Sequence, residues 1–408
     1  MLNVIWILFF LLSFAAACFQ AFFGGNPLIW TEVVNALFAA AKSAFTIAIN
    51  LTGMLCLWLG LLKIAEKSGL TDLLARGLTP LFKKIMPEIP EHHPAIGSMV
   101  MNIAANMLGL DNAATPMGLK AMEQMQELNP RKDTASNAEI MFMVINASAV
   151  TIIPINILMY RTELGSTNPC AVFIPILIAT AASSVAGFLA VAIVQKLPIF
   201  NRTVLLYLLG FAAFISSLAY YFASLDDAVR LTYSESAGNF ILFLMIAAFI
   251  AYGAIKRLNV YETFITGAKE GFDIAVKIIP YLVAMLTAIA VLRASGLMDM
   301  FVLGIERLVI WFNADTGFVP ALPTAFIKPL SGSGARAMMI ETLQTYGADS
   351  FAGFVSSVIQ GSTETTFYVL AVYFGAIKVL KTRHALPCAL FADLVGIVTA
   401  IYVSYLFY

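Results

Sequence analysis

Charge is scarce in this sequence: only 12% of its 408 residues are Asp, Glu, Lys or Arg, and 24 bases balance 24 acids. A soluble domain carries about a quarter charged residues. A nucleic-acid binder carries a basic face, and the neutral balance excludes that class. Histidine occurs three times and cysteine four times. Cys18, Cys56, Cys170 and Cys388 are scattered, each in or beside an apolar run, without the CxxC spacing of a metal site. They read as small buried hydrophobes. No HExxH or GxSxG signature is present, so no enzyme is expected. The first apolar run, Asn3 to Phe23, has no Lys or Arg before it and so lacks the basic start of a cleaved leader. Ala15-Ala16-Ala17-Cys18 only faintly resembles a lipoprotein cleavage site, and the run is read as a retained span.

What is abundant is apolar surface: 60% of residues are hydrophobic and the mean hydropathy is +0.87. No soluble core needs that much, so lipid must solvate part of the chain. Runs long enough for roughly 30 Å of hydrocarbon lie near 2–23, 46–66, 138–160, 170–195, 204–223, 239–255, 274–293, 350–375 and 384–407, about nine crossings. With the N-terminus in the cytoplasm, inner loops collect 17 of the 24 Lys and Arg residues, among them Lys63, Lys83, Lys84, Lys269, Lys277 and Arg383. Outer loops collect five, Lys42, Arg161, Arg230, Arg293 and Arg307. The positive-inside rule therefore predicts a multi-pass inner (plasma) membrane protein with N-terminus inside and C-terminus outside.

The chain repeats itself. Ala41-Lys42-Ser43-Ala44-Phe45 matches Ala268-Lys269-Glu270-Gly271-Phe272 at an offset of 227, and Ser68-Gly69-Leu70-Thr71-Asp72 matches Ser295-Gly296-Leu297-Met298-Asp299 at the same offset. Further on the offset drifts, and Ile145-Asn146-Ala147-Ser148 aligns with Ile359-Gln360-Gly361-Ser362. The organisation read from this is a first repeat over 1–200, a linking transmembrane helix over 201–234 and a second repeat over 235–408. An odd number of crossings, five, separates the starts of the copies, so the second enters upside down. The predicted fold is an all-α polytopic membrane protein with an inverted-topology repeat. Such carriers bind their solute near the midplane between the copies.

Each copy also holds an amphipathic stretch, Leu70 to Met86 and Leu297 to Phe312, expected as interfacial helices. After each comes an apolar region broken by Gly, Pro, Asn and Ser. The first break runs from Asn106 to Pro116 and contains Asp111 and Asn112; the second contains Lys328, Ser331, Ser333 and Arg336. Both read as re-entrant helical hairpins, since open backbone at membrane depth must be received by protein or a water-filled cavity. Asp111-Asn112 would cap a half-helix whose N-terminus suits an anion or carbonyl. The following span is polar in both copies, with Asn146 and Ser148 in the first and Gln360, Ser362 and Glu364 in the second. Glu364 is either a solute or cation site or half of an ion pair with Lys328 or Arg336, because a lone carboxylate in a span is costly. His92, His93 and His384 read as loop or interfacial residues.

Two stretches carry a family resemblance. Asn102 to Gly118, with Asn146-Ala147-Ser148, resembles the spore maturation protein A family. Pro329 to Arg336, with Gly361-Ser362-Thr363-Glu364-Thr365-Thr366-Phe367-Tyr368, resembles the spore maturation protein B family. Both are placed in the nucleoside-recognition, or Gate, family, alongside concentrative nucleoside transporters and the ferrous-iron transporter membrane domain. The resemblance covers nearly the whole chain and implies a helical membrane fold with paired hairpins. By position it implies solute contacts at Asn106, Asp111, Asn112, Asn146, Ser148, Ser331, Ser333, Arg336, Gln360, Ser362 and Glu364. Lys328 and Arg336 at the second tip depart from the nucleoside carriers. No GxxxxGK[ST] motif accompanies them, so no attached GTPase drives the chain.

Three functions fit these observations. The first is a secondary carrier for a small polar solute, nucleoside-like or anionic to zwitterionic. The second is a non-transporting scaffold or sensor. The third is an intramembrane enzyme using Asp111, Glu364 and the histidines as acid/base residues, which no motif supports. Expected partners are the bilayer and the solute, with a homo-oligomer compatible. No cofactor or metal is expected beyond a coupling Na+ or H+.

Overall fold

In lipid the backbone has no solvent partner for its N–H and C=O groups, so apolar runs close their hydrogen bonds as helices. The structure is a computed structural model. It describes residues 2–90, 92–108, 111–148, 150–152, 154–197 and 201–408, and the side chains of residues 2, 111–113, 227 and 228 lie outside the description. Among the described residues it contains helices and no strand, with one isolated bridge between Thr134 and Lys381.

The first half holds Leu2–Phe22 (α1), Ile29–Asn50 (α2), Thr52–Lys67 (α3), Leu70–Ile85 (α4), Pro94–Met107 (α5), Asp111–Leu128 (α6), Asn137–Ala147 (α7), Ile155–Glu163 (α8) and Phe173–Val194 (α9). Arg202–Ala223 (α10) follows. The second half holds Asp227–Ile255 (α11), Val260–Ala294 (α12), Leu297–Trp311 (α13), Leu322–Ile327 (α14), Gly332–Tyr346 (α15), Phe351–Ser362 (α16), Thr366–Ala376 (α17) and Ala385–Phe407 (α18).

Seven of the described helical stretches are long and apolar enough to cross a membrane. The other two expected crossings, 138–160 and 350–375, are each two shorter helices, α7 with α8 and α16 with α17. The chain is an all-α polytopic membrane protein.

Two spans are longer than the apolar runs suggested. α2 continues through Leu51 into α3 as a 39-residue stretch, and α12 has 35 residues. At 1.5 Å per residue, 35 residues reach about 52 Å, well beyond the hydrocarbon. Lys63, Lys269 and Lys277, counted above as loop charges, therefore stand inside α3 and α12. The repeat is visible at the ends of these helices. Each stops before a left-handed glycine, Gly69 at φ 79° and Gly296 at φ 73°, which turns the chain into α4 or α13. Only glycine takes that conformation without cost, and the two positions differ by the same offset of 227.

The long helices pack against each other. A methyl added at Gly60 would collide with Phe264, and one at Gly271 with the backbone of Cys56. The number falls on one helix as it rises on the other, so α3 and α12 run antiparallel. Lipid tails are as apolar as leucine, so close packing of small residues, not transfer from water, holds such a pair. Gly267 and Gly271 form the small-residue face: an added methyl at Gly267 would collide with Leu59 O, and one at Gly271 would sit 2.7 Å from Cys56 N.

α5 with α6, and α14 with α15, form the two hairpins, each packed on the broken helices. α4 buries Phe82 and leaves Leu73 of the expected apolar stripe 54% exposed.

Candidate functional site

The hairpins and the breaks meet through backbone hydrogen bonds with a shared logic. Ile152 N in the first break donates to Met107 O at the end of α5, at 3.1 Å. Phe367 N beyond the second break donates to Pro329 O at the second hairpin tip, at 3.0 Å. Each hairpin thus receives an N–H that the break in its own copy has released, answering the accounting that open backbone demands. The two breaks also touch, since Glu364 N donates to Ala147 O at 2.9 Å. α7 and α16 therefore end against each other, one from each copy.

Beside this crossing lies a cavity of about 840 Å³, within the range of small-molecule sites. Five of the sequence-predicted residues line it: Asn106, Lys328, Arg336, Gln360 and Glu364. Arg336 holds its guanidinium over the Tyr160 ring, 5.8 Å from the centroid. Glu364 is exposed into the cavity. The ion pair expected for it with Lys328 or Arg336 does not form among the described residues. Glu364 sits in the extended break, and Lys328 at the hairpin tip is 4% exposed and engaged elsewhere.

The remaining predicted residues stand behind the wall. Asn146 is buried and accepts from Asn106 Nδ2 at 2.8 Å. Ser148 and Ser362 are fully buried and donate to their own helices, at Val144 O and Ile359 O. Ser331 caps α15, accepting from Gly334 N at 3.0 Å, and lies 3.4 Å from the Ser333 hydroxyl. The tip is tight there, since a methyl at Gly332 would meet Thr365 Oγ1 at 2.7 Å. α6 begins at Asp111, but the side chains of Asp111 and Asn112 lie outside the described residues.

Sequence reasoning missed a whole wall. α3 and α12 bring Lys63, Glu66, Glu270, Lys277 and Tyr281 to the cavity. Lys63 Nζ pairs with Glu66 at 3.1 Å and with Glu270 at 3.2 Å, tying α3 to α12 within the chamber wall. Lys63 and Lys277 were counted with the inner loops although they fall within the apolar runs 46–66 and 274–293; their spacing, Lys63 to Glu66 and Glu270 to Lys277, was the available signal. The described lining holds four basic side chains (Lys63, Lys277, Lys328, Arg336) against three acidic ones (Glu66, Glu270, Glu364). Among the described residues no cluster of His, Cys, Asp and Glu is placed to hold a metal ion.

Outside the chamber, Arg161 on α8 is a second buried charge that the sequence reading left in a loop. It pairs with Asp349 at 3.1 Å and donates to Ala348 O at 2.7 Å. Burial raises the Asp349 carboxyl, but hydrogen bonds from Ser166 and Thr167 and the charge of Arg161 outweigh it and hold the group below its ordinary value.

Comparison with known proteins agrees with this geometry. The chain is similar to Spore maturation protein B of Bacillus subtilis (strain 168), 46% identical over 158 residues that make up 39% of this chain and 87% of that protein. It is also similar to Spore maturation protein A of the same organism, 38% identical over 189 residues, 46% of this chain and 93% of that protein. The family described as Gate, nucleoside recognition, matches residues 48–167 and again 275–380, one match in each half and together more than half the chain. With two hairpins and two broken helices on these matched segments, the chain belongs to the nucleoside-recognition (Gate) family.

Proposed function

We propose that this protein is a secondary carrier that admits a small polar solute, anionic or zwitterionic, into the chamber between its two hairpins. One observation carries the reading: residues from both hairpins and both breaks converge on one cavity of about 840 Å³. Asn106 offers amide hydrogen bonds, Arg336 a planar fork for a carboxylate or phosphate, and Glu364 an acceptor for an amine or hydroxyl. The organisation as two oppositely inserted repeats over 1–200 and 235–408, with the linker over 201–234, belongs to the same proposal. So does an inner-membrane location with the N-terminus in the cytoplasm.

The test is a thermal-shift screen of the detergent-purified chain against nucleosides, nucleotides, amino acids and dicarboxylates, because a ligand of the folded state raises the melting temperature. A stabilising solute whose affinity falls by about tenfold or more in Arg336→Ala or Glu364→Gln supports the site. Proteoliposomes that neither bind nor move any of these classes under an imposed gradient overturn it.

A second reading is a non-transporting scaffold or sensor. It is favoured by the match of this one chain to most of the length of two separate relatives, as a permanent assembly would require. A scaffold would keep its cellular role when the chamber charges are neutralised.

A further inference from the structure

Asp393 lies in α18, is 2% exposed, and neither of its carboxylate oxygens has a hydrogen-bond partner among the described residues. The hydroxyls of Thr363 and Thr366, in and just after the break between α16 and α17, interact with it without forming a hydrogen bond of ordinary geometry. They are 3% and 0% exposed, and both hydroxyl oxygens are also unpartnered. A methyl at Gly396, on the same face of α18, would stand 2.7 Å from Thr363 Cγ2, so the approach of helix to break is close. α16 ends at Ser362, and a helix end leaves its last carbonyls without intrahelical donors and with partial negative charge.

A buried carboxylate costs several kcal/mol in a span unless something compensates it. The fold does not require this one: the offset of 214 that sets Ile145 against Ile359 sets Asp393 against Ala179 in α9. The charged groups that act on it are Lys328 from the hairpin tip and Glu364 from the break, of opposite sign. α9, packed along α18, contains no charged residue, and its Ser183 hydroxyl is spent on Ala392 O. The end of α7 brings only Ser148, bonded within its own helix. The neutral polar groups that act on the carboxylate are the Thr363 and Thr366 hydroxyls.

We propose that Asp393, with the hydroxyls of Thr363 and Thr366, binds a dehydrated sodium ion behind the wall of the chamber. Hard cations take oxygen ligands, and one carboxylate balances one monovalent charge. Helix ends and unwound backbone at a break are a natural cation seat in inverted-repeat carriers. Thr363 also lines the chamber. The ion would therefore fix the break whose next residue, Glu364, faces the solute. The purpose of the ion rests on the carrier reading, but its binding does not.

The experiment is a melting curve of the full-length protein in detergent, without solute, against sodium chloride, with potassium and choline chloride at equal ionic strength. Wild type should gain about 2 °C or more in sodium alone. Asp393→Asn should lose the gain, and Thr366→Ala should need about tenfold more sodium for it. If Asp393→Asn does not fold, Thr363→Ala and Thr366→Ala carry the test. Equal stabilisation by potassium or choline overturns the proposal, as does a sodium gain intact in these variants. A response that follows pH with no sodium dependence also overturns it, because the carboxylate then holds a proton. A blank solute screen beside an intact sodium response would sink the carrier reading and leave this site standing.

Discussion

Asn146 shows how one side chain organises the first hairpin. Its Oδ1 accepts from Asn106 Nδ2 at 2.8 Å and from the Tyr373 hydroxyl at 3.1 Å. Asn102 Nδ2 donates to the same hydroxyl at 3.1 Å and to Ala114 O at 2.8 Å. A methyl at Gly118 would collide with the Tyr373 hydroxyl, so α6 must be bare where the tyrosine enters. Tyr373 comes from the second copy and its partners from the first. Tyr373→Phe should therefore leave Asn146 short of a donor and Asn102 short of an acceptor in a buried setting. A loss of about 1–3 kcal/mol is expected, read as a lower melting temperature; an unchanged melt would show that water fills the gap. Asn106 and Asn146 were legible because amides are conspicuous in apolar runs. Tyr373 was not, since a tyrosine in such a run looks like any aromatic, and only the fold reveals the polar group opposite its hydroxyl.

Among elements, the joint between α3 and α12 depends on glycine. At Gly271 an added methyl would lie 2.7–2.8 Å from backbone atoms of Leu55 and Cys56, which cannot swing aside as a side chain could. Gly77 in α4 has open space around it, with nothing within 4 Å of an added methyl. Gly271→Ala should push the helices apart and cost about 1–3 kcal/mol. Gly77→Ala should be neutral or stabilise by up to about 1 kcal/mol, as alanine replaces a flexible residue inside a helix. Paired melting curves decide this, and equal effects from the two substitutions would contradict the packing described. The segment Gly267-Ala268-Lys269-Glu270-Gly271 is a small-residue motif that could have announced the joint. It was read only as part of the repeat, because its lysine and glutamate suggested a loop. In the structure Glu270 lines the chamber, paired to Lys63. The hairpins and broken spans, by contrast, were visible in advance, because glycine, proline and asparagine inside apolar runs have few other meanings.

For the whole molecule, the two copies are also clasped away from the chamber by Arg161 and Asp349. Arg161 is 1% exposed, at the end of α8 in the first copy; Asp349 lies in the turn between α15 and α16 of the second. Besides Arg161, Asp349 accepts from Thr167 N at 2.7 Å and the Thr167 hydroxyl at 2.8 Å. Neutralising Asp349 strands a buried guanidinium, but its own side chain is 37% exposed and screened. Asp349→Asn should therefore cost about 1–2 kcal/mol, less than a fully buried pair. The sign with pH follows from the lowered carboxyl. A group whose folded value lies below its unfolded value stabilises the fold above the unfolded value, about 4 for aspartate. That contribution is lost as pH falls through the lower, folded value. Melting temperatures of wild type and Asp349→Asn should differ steadily from neutral pH down to about 4 and converge below it. A gap that persists undiminished in acid would mean that the carboxylate charge is not what clasps the copies. The repeat itself could be read from matching blocks. This clasp could not, because Arg161 and Asp349 have no counterpart spacing in sequence and meet only when the second copy folds back on the first.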